Sequence, residues 1–441
     1  MLRLTRHALA EFGLRPIRPR EDVGRLVAAL HAETRCDSVC VLNVSVLEAQ
    51  YRLWESCLPG VRPFYAIKCN PHPVILRALH LLGAGFDCAS PAELRAALAA
   101  GCSPSDIIYA NPQKTASSIR AAHALNCDLF TFDSEHELCT MLKNAPADRP
   151  GRYVLRLLPP DESASICKFG IKFGANPQEA SRLLRLCRKL GANLVGLSFH
   201  VGSGCGSVDA FRLAVQYMGT VARQASELGF SLTLIDLGGG YMSRGSTKHY
   251  EVPNARAGIT PPSFEEISSA LLEELAKIRP HFAPDVRVIA EPGRFFSGDS
   301  MTLGVRVFGR RIVFSKEESE YAGETEEELL RAGAQVSEVK YYVGDGLYGS
   351  FNAIFFDHVV PHLTYVHGDG TPYETPYGPT YQSHIFGPTC DSLDCILADR
   401  PVPLLEVGDW VVIPAFGAYT LAAASEFNGI PRPTVVACLE E

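Results

Sequence analysis

The sequence predicts an α/β fold, a (β/α)8 TIM-type barrel followed by an all-β C-terminal domain. Three observations predict it. Eight apolar runs rich in β-branched and aromatic residues recur along the chain up to about residue 290, with helical patterns between them. Each run finishes on a polar or glycine-rich group. Beyond about Arg294 the helical periodicity fades, and short strand-like runs separated by proline and glycine turns replace it.

The expected strands are Phe64–Ile67, Gly85–Cys88, Ile107–Ala110, Leu129–Phe132, Tyr153–Leu157, Leu194–Phe199, Leu232–Leu237 and Val286–Ala290. Between them, "PVILRALHLLGAG" carries apolar residues at three-and-four spacing and then glycines that stop the helix. "SPAELRAALAAG" opens on Ser90, Pro91 and Glu93, a capping box with proline at the first helical position, and "SEHEL" repeats the box with Ser134 and Glu137. Strand then helix, eight times, is the barrel pattern. An open doubly wound sheet is the alternative, and the count and the regular early spacing favour the barrel. The later runs "LGVRVFG", "KYYVG", "AIFF" and "DWVVIPAFGAYT" read as strands of the second domain. The expected organisation is a barrel over 40–297 and a β-domain over 298–441, joined by residues 1–39. "SKEESEYAGETEEELLRAG" and "VHGDGTPYETPYGPTYQSH" read as mobile loops, and "PPDESASICKFGIKFG", after Arg156, reads as a cover over the barrel mouth.

Composition narrows the function. A hydrophobic share of 46% with 20% charged residues is that of a soluble globular protein with room for a large core. The net charge of −8 argues against a nucleic-acid partner, because phosphate binding needs a basic face. No run of about 18 apolar residues is present to span a membrane. The Arg-rich start "MLRLTRHALAEFGLRPIRPRED" invites a targeting reading, but Glu11 interrupts it and serine is missing from it, so a cytoplasmic location is expected. Fourteen cysteines without a C-x-x-C pair read as reduced thiols. Cys36 with Cys40, and Cys390 with Cys395, lack matching partners at metal spacing, so no metal site is expected.

In such a barrel the chemistry gathers where strands finish. Those positions hold Lys68, Asp87, Asn111, Asp133, Arg156, His200 with Ser203, Gly238 to Gly240, and Glu291 with Arg294. Each has a structural reading alone: Lys68 as a lysine whose head snorkels to water, Asp87 and Asp133 as cap or turn residues, His200 as a satisfied core histidine. Together they suit one ligand. Consecutive glycines after "IDL" let backbone N–H groups close around an anion, Arg294 in "EPGRFF" presents a fork matched to phosphate oxygens, and Ser203 adds a hydroxyl. A strand-end lysine, a phosphate cradle, a carboxylate and an imidazole are what pyridoxal 5′-phosphate requires: an amine for its aldehyde, an anchor for its phosphate, an acid for its ring nitrogen and a surface for its flat face. "GDGLYG", Gly344 to Gly349, fits a dinucleotide motif, but the following "SFNAIFFDH" reads as another strand where that motif needs a helix.

The motifs "PFYAIKCN", "GFDCAS", "YANPQK", "TFDSE", "SFHVGSG", "IDLGGG", "EPGRFF", "GDGLYGSFN", "FGPTCDSLD" and "GAYTLAAASEFNG" span Val61 to Gly429. As a set they resemble the eukaryotic ornithine decarboxylases of the alanine-racemase-like pyridoxal-phosphate group. The resemblance implies decarboxylation of L-ornithine to putrescine through an external aldimine and a quinonoid. It implies that Lys68 carries the cofactor, Glu291 faces the pyridine nitrogen and His200 stacks on the ring. Ser203, Gly238, Gly239, Gly240, Arg294 and Tyr419 would hold the phosphate, with Asp87, Glu93 and Arg156 around them. Asp357 and Asp391 would meet the distal ammonium of the substrate, and Cys390 would deliver a proton to Cα. Cys390 and Asp391 would come from the neighbouring subunit of a homodimer with shared active sites, Asp394 contributing through the same interface, and a regulatory antizyme is a possible further partner. Phe356 departs from the tyrosine usual in animal relatives, while His358 matches the ornithine-preferring pattern. Broader lysine/ornithine specificity is one alternative, and an antizyme-inhibitor-like binding protein without catalysis is another. No degradation-signalling tail of the kind some animal relatives carry is expected after "PRPTVVACLEE".

Overall fold

The computed structural model describes all residues except 1–3, 6, 18–22, 161–163, 250–260, 316–322 and 441. The chain divides into two compact units, Met1–Gly13 with Val44–Ser300, and Leu14–Asn43 with Met301–Glu441.

The first unit is a closed barrel of eight parallel strands. They are β1 (Val61–Ala66), β2 (Gly85–Cys88), β3 (Ile107–Tyr109), β4 (Leu129–Phe132), β5 (Arg152–Leu157), β6 (Leu194–Phe199), β7 (Leu234–Asp236) and β8 (Arg287–Ala290). Each pairs in parallel with the next, and β8 returns to β1 through Val288 opposite Val61 and Ala290 opposite Pro63. Strands buried on both faces need apolar residues throughout. Phe64, Ile108, Leu129, Val154, Leu234 and Ile289 form a buried cluster contributed by six of these strands. All eight expected strands are present, with ends shifted by at most three residues.

The helices between strands start where the sequence puts oxygen acceptors. Ser90, Thr115, Ser134, Ser207 and Ser263 each accept a backbone N–H of the first helical turn. Asn176 and Ser263 complete reciprocal capping boxes. The two boxes expected at Ser90 and Ser134 are only half formed. Glu93 reaches back to the N–H of Ala89 at 2.5 Å rather than that of Ser90, and the Glu137 carboxyl turns to Lys114. A buried cation outcompeted a backbone amide for Glu137, as expected for an ion in a site without water.

The second unit is built on a nine-stranded sheet. Strand Met301–Phe314 is its spine, antiparallel to Ser38–Asn43, Val336–Val343 and Trp410–Ile413. Thr434–Glu440 runs parallel to Ser38–Asn43, so early and late segments of the chain share one sheet. Helix Val23–Thr34 covers it, with Val27 and Leu30 packed on Val39, Val41, Trp410 and Val412.

Three local expectations change. "SFNAIFFDH" is helical, as Ser350–Asn352 and Ala353–Phe356, because Asp345 accepts the N–H groups of Gly346 and Ser350 and turns the chain before any strand can start. The acidic segment expected as a loop contains helix Glu326–Arg331, with a capping box between Thr325 and Glu328; its residues 316–322 lie outside the described ones. The turn-rich segment after Val366 gives way to strand Thr380–Phe386, paired parallel to Val336–Val343 and antiparallel to Cys395–Pro403.

Candidate active site

The ends of the barrel strands bring most of the expected residues together. β1 stops at Ala66, and Lys68 sits one residue into the helical turn Ile67–Cys69, which lifts its amine off the strand. Nζ donates to Asp87 Oδ2 at 3.0 Å. The Asp87 side chain is 1% exposed and that of Lys68 38%. Burial works against the charged amine, but the carboxylates of Asp87 and Glu291 outweigh it, and the pKa of Lys68 lies above the usual lysine range. Asp87 is therefore the counter-ion of Lys68, not a cap.

His200 follows β6. Gly202 N–H donates to its Nδ1 at 3.0 Å, so in the neutral ring the hydrogen lies on Nε2. Burial, with Arg156 and Lys68 nearby, holds its pKa well below the usual value and keeps it neutral. Phe169 packs edge-on against the ring, centroids 4.9 Å apart, and Phe173 lies under the Arg156 guanidinium at 5.4 Å. Both phenylalanines belong to the segment expected as a cover. Its residues 161–163 are not described, and the rest is tied down. Ser165–Cys167 pairs antiparallel with Ser203–Cys205, Leu158 and Ala175 close a bridge at its two ends, and Asp133 Oδ2 accepts Gly174 N–H at 2.9 Å. Asp133 thus anchors this segment.

The glycine run after β7 is a tight backbone cradle. At Gly238 φ is +60°, and a Cβ there would lie 1.8 Å from the Phe199 carbonyl oxygen. At Gly239 a Cβ would meet His200 Nε2 at 2.6 Å, so the imidazole rests directly on the glycine backbone. Arg294 is buried and donates from Nη2 to Ser203 Oγ at 2.9 Å. Ser203 accepts that bond and keeps its own O–H for a further acceptor.

Glu291, after β8, is 6% exposed, and its N–H donates to Gly238 O at 2.7 Å. Burial first, then Asp236 and Asp87, push its carboxyl well above the usual range. Asp236, the last residue of β7, has no exposed surface. Sequence reasoning did not single it out. Three buried carboxyls, Asp87, Asp236 and Glu291, therefore act on one another, with Lys68 and Arg156 as the cations that act on Glu291. Glu93 is held by Ala89 N–H, with burial raising its pKa.

Sequence reading also missed a fully buried ion pair beside β3 and β4. Lys114 Nζ lies 2.8 Å from Glu137 Oε1, donates to the carbonyls of Asn111 and Thr131, and sits near the Tyr109 and Phe130 rings.

Four expected site residues lie in the second unit. Asp357 is buried at the end of helix Ala353–Phe356. Tyr419 has a left-handed backbone, φ +57°. Cys390 is exposed. Asp391 accepts the Tyr348 hydroxyl and Leu393 N–H, bonds that hold its carboxyl below the usual range and keep it ionised. Asp394 is an internal anchor: 1% exposed, it accepts Leu347 N–H and both donors of Thr389, and so shapes the loop that displays Cys390 and Asp391.

Residues 44–298 match the family model described as "Pyridoxal-dependent decarboxylase, pyridoxal binding domain". The chain belongs to the pyridoxal-dependent decarboxylases. It is 37% identical over 415 residues to the probable ornithine decarboxylase of Dictyostelium discoideum, covering 94% of this chain and 82% of that one. It is 38% identical over 400 residues to the ornithine decarboxylase of Rattus norvegicus (90% and 80%). Antizyme inhibitor 2 of Xenopus laevis is 36% identical over 399 residues (90% and 80%). Among solved structures, the Paramecium bursaria Chlorella virus arginine decarboxylase aligns with TM-score 0.79 at 27% identity, covering 94% of this chain and 100% of that one. The Vibrio vulnificus lysine/ornithine decarboxylase complexed with cadaverine aligns with TM-score 0.76 at 29% identity (95% and 96%).

The site fits the group this family is named for. The buried carboxyl pair at Glu291 suits a basic ring nitrogen, which the pyridine of such a group would supply. The cradle at Gly238 and Gly239 has no room for a Cβ, and Ser203, after β6, and Arg294, after β8, stand on the neighbouring strand-end loops, where they would donate to a phosphate.

Proposed function

We propose that the protein decarboxylates L-ornithine to putrescine and carbon dioxide with pyridoxal 5′-phosphate as cofactor. One observation carries the reading: the Lys68–Asp87 pair sits in a buried acidic cluster, at the mouth of a barrel whose sequence follows the ornithine decarboxylases along 90% or more of the chain. When bound, the cofactor supplies an aldehyde that condenses with amines and a ring that accepts the electron pair left by departing carbon dioxide.

The chain's own groups supply the rest. Lys68 is the amine, and Asp87, 3.0 Å away, is the counter-ion that holds it in place. Neutral His200, braced by Phe169, offers a flat surface that adds no charge. Gly238 to Gly240, Ser203 and Arg294, with Tyr419, would hold the phosphate, and Glu291 would keep the ring nitrogen protonated. Asp357 and ionised Asp391 receive the distal ammonium of the substrate. Such a pair rejects substrates without the amine, whereas one methylene is worth only about 1–3 kcal/mol, so lysine is expected as a slower substrate. Exposed Cys390 delivers the proton to Cα from the neighbouring subunit of a homodimer. Its fourteen free thiols support a reducing compartment, and the cytoplasm is the location proposed.

The resemblance to antizyme inhibitor 2 keeps a binding role in view, because its identity is close to that of the enzymes. Retention of Lys68, His200, Glu291, Arg294, Cys390 and Asp391 supports catalysis. The test is carbon dioxide release from ornithine, lysine, arginine and diaminopimelate, compared by kcat/KM. Ornithine should lead; a cofactor-loaded protein that releases none from any of them would leave only the binding role.

A further inference from the structure

Asp236 has no part in the reaction as described, yet it is wholly enclosed in the site. Its Oδ1 accepts Gly238 N–H at 2.9 Å, and the carbonyl of the same glycine accepts Glu291 N–H at 2.7 Å. One glycine therefore fixes both the Asp236 side chain and the Glu291 backbone. The other oxygen of Asp236, Oδ2, is buried and meets no N–H or O–H donor among the described residues, and the Asp236 side chain has the Glu291 carboxyl as its hydrogen-bonding neighbour. Two carboxyl groups in contact, away from water, do not both ionise. A proton held between them turns repulsion into a hydrogen bond.

The groups around the pair do not remove that proton. Asp87 adds negative charge and already carries Lys68. Arg156 and Lys68 favour ionisation, but burial, the largest influence on both acids, opposes it, and both carboxyls are pushed upward. Tyr241, facing both, is raised far above its ordinary range and stays a neutral phenol directed at Leu237 O.

We infer that Asp236 is a positioning residue for Glu291: the two buried carboxyls hold one proton between them, and this proton passes to the pyridine nitrogen when the cofactor settles against Glu291. An O–H bond of the pair breaks and an N–H bond forms. The pair goes from one negative charge to two as the ring gains one positive charge, and no proton is drawn from solvent. The inference rests on the cofactor assignment proposed above, and its test separates the two.

The full-length protein is stripped of cofactor and titrated with pyridoxal 5′-phosphate by calorimetry at about pH 8, in buffers of different ionisation enthalpy, which yields the protons taken up per site. Asp236→Asn keeps the acceptor for Gly238 N–H and gives Glu291 an amide donor, but it cannot share a proton, so Glu291 starts ionised. The variant is expected to take up about one proton more per site than the unsubstituted protein. In the cofactor-free state, the infrared stretch of a protonated buried carboxyl is expected at the same pH in the unsubstituted protein and is expected to vanish in both Asp236→Asn and Glu291→Gln. Equal proton uptake, or no protonated-carboxyl band in the unsubstituted protein, overturns the inference. Failure of the unsubstituted protein to bind pyridoxal 5′-phosphate overturns the cofactor assignment, and the infrared comparison still decides whether the pair shares a proton.

Discussion

Replacing Asp87 with asparagine isolates the electrostatic control of Lys68. The substitution keeps an oxygen acceptor 3.0 Å from Nζ and removes only the charge. At that separation two unit charges attract by about 5 kcal/mol for an effective dielectric of 20 and by about 1 kcal/mol in water. Asp87 is enclosed, but the lysine side chain is 38% exposed, so solvent screens part of the attraction. A value of about 2 kcal/mol, roughly 1.5 pKa units, is the reasonable expectation. The sign follows from which form Asp87 favours. The carboxylate stabilises the ammonium, so its loss lets burial pull the amine pKa down from its raised position. The assay is the rate of Lys68 modification by an amine-directed reagent, followed by peptide mass spectrometry across pH in the cofactor-free protein. Its midpoint should fall by about 1–2 units in Asp87→Asn. A midpoint that stays put or rises would refute the reasoning and assign the raised amine pKa to Glu291 alone.

Three further outcomes are expected. Lys114→Met strands Glu137 as a lone buried charge and should cost about 3–5 kcal/mol in urea unfolding, much of it recovered by adding Glu137→Leu; a loss below about 1 kcal/mol would mean that water reaches the pair. Gly238→Ala forces a Cβ onto the Phe199 carbonyl at a positive φ, so cofactor affinity measured by absorbance titration should collapse; affinity near that of the unsubstituted protein would place the phosphate elsewhere. Asp236 and Glu291 bind protons in the folded chain that the unfolded chain releases above about pH 4, so the cofactor-free protein should lose stability as pH rises from about 4 through neutrality, and Asp236→Asn should flatten that slope in thermal melts.

The barrel was legible because its strands are buried on both faces and read as continuous apolar runs, and because the candidate groups stand at or just beyond their ends. Lys68, Asp87, His200 and Glu291 could be picked out as candidates from position. Less legible was anything set by competition between partners. Glu137 has the spacing of a capping residue, and only three-dimensional proximity to Lys114 redirects it. "AIFF" has strand composition, yet Asp345, at the head of the preceding turn, makes it helical. Asp236 went unnoticed because its significance lies in contact with Glu291, more than fifty residues away. The bracing of His200 by Phe169 is likewise a long-range contact that no local pattern announces.

The most direct test of the central claim is to load the protein with pyridoxal 5′-phosphate, reduce it with borohydride and map the stable adduct by peptide mass spectrometry. The account predicts one modified position, Lys68, and loss of the adduct in Lys68→Ala. An adduct on another lysine, such as Lys172, with Lys68 unmodified, would contradict it.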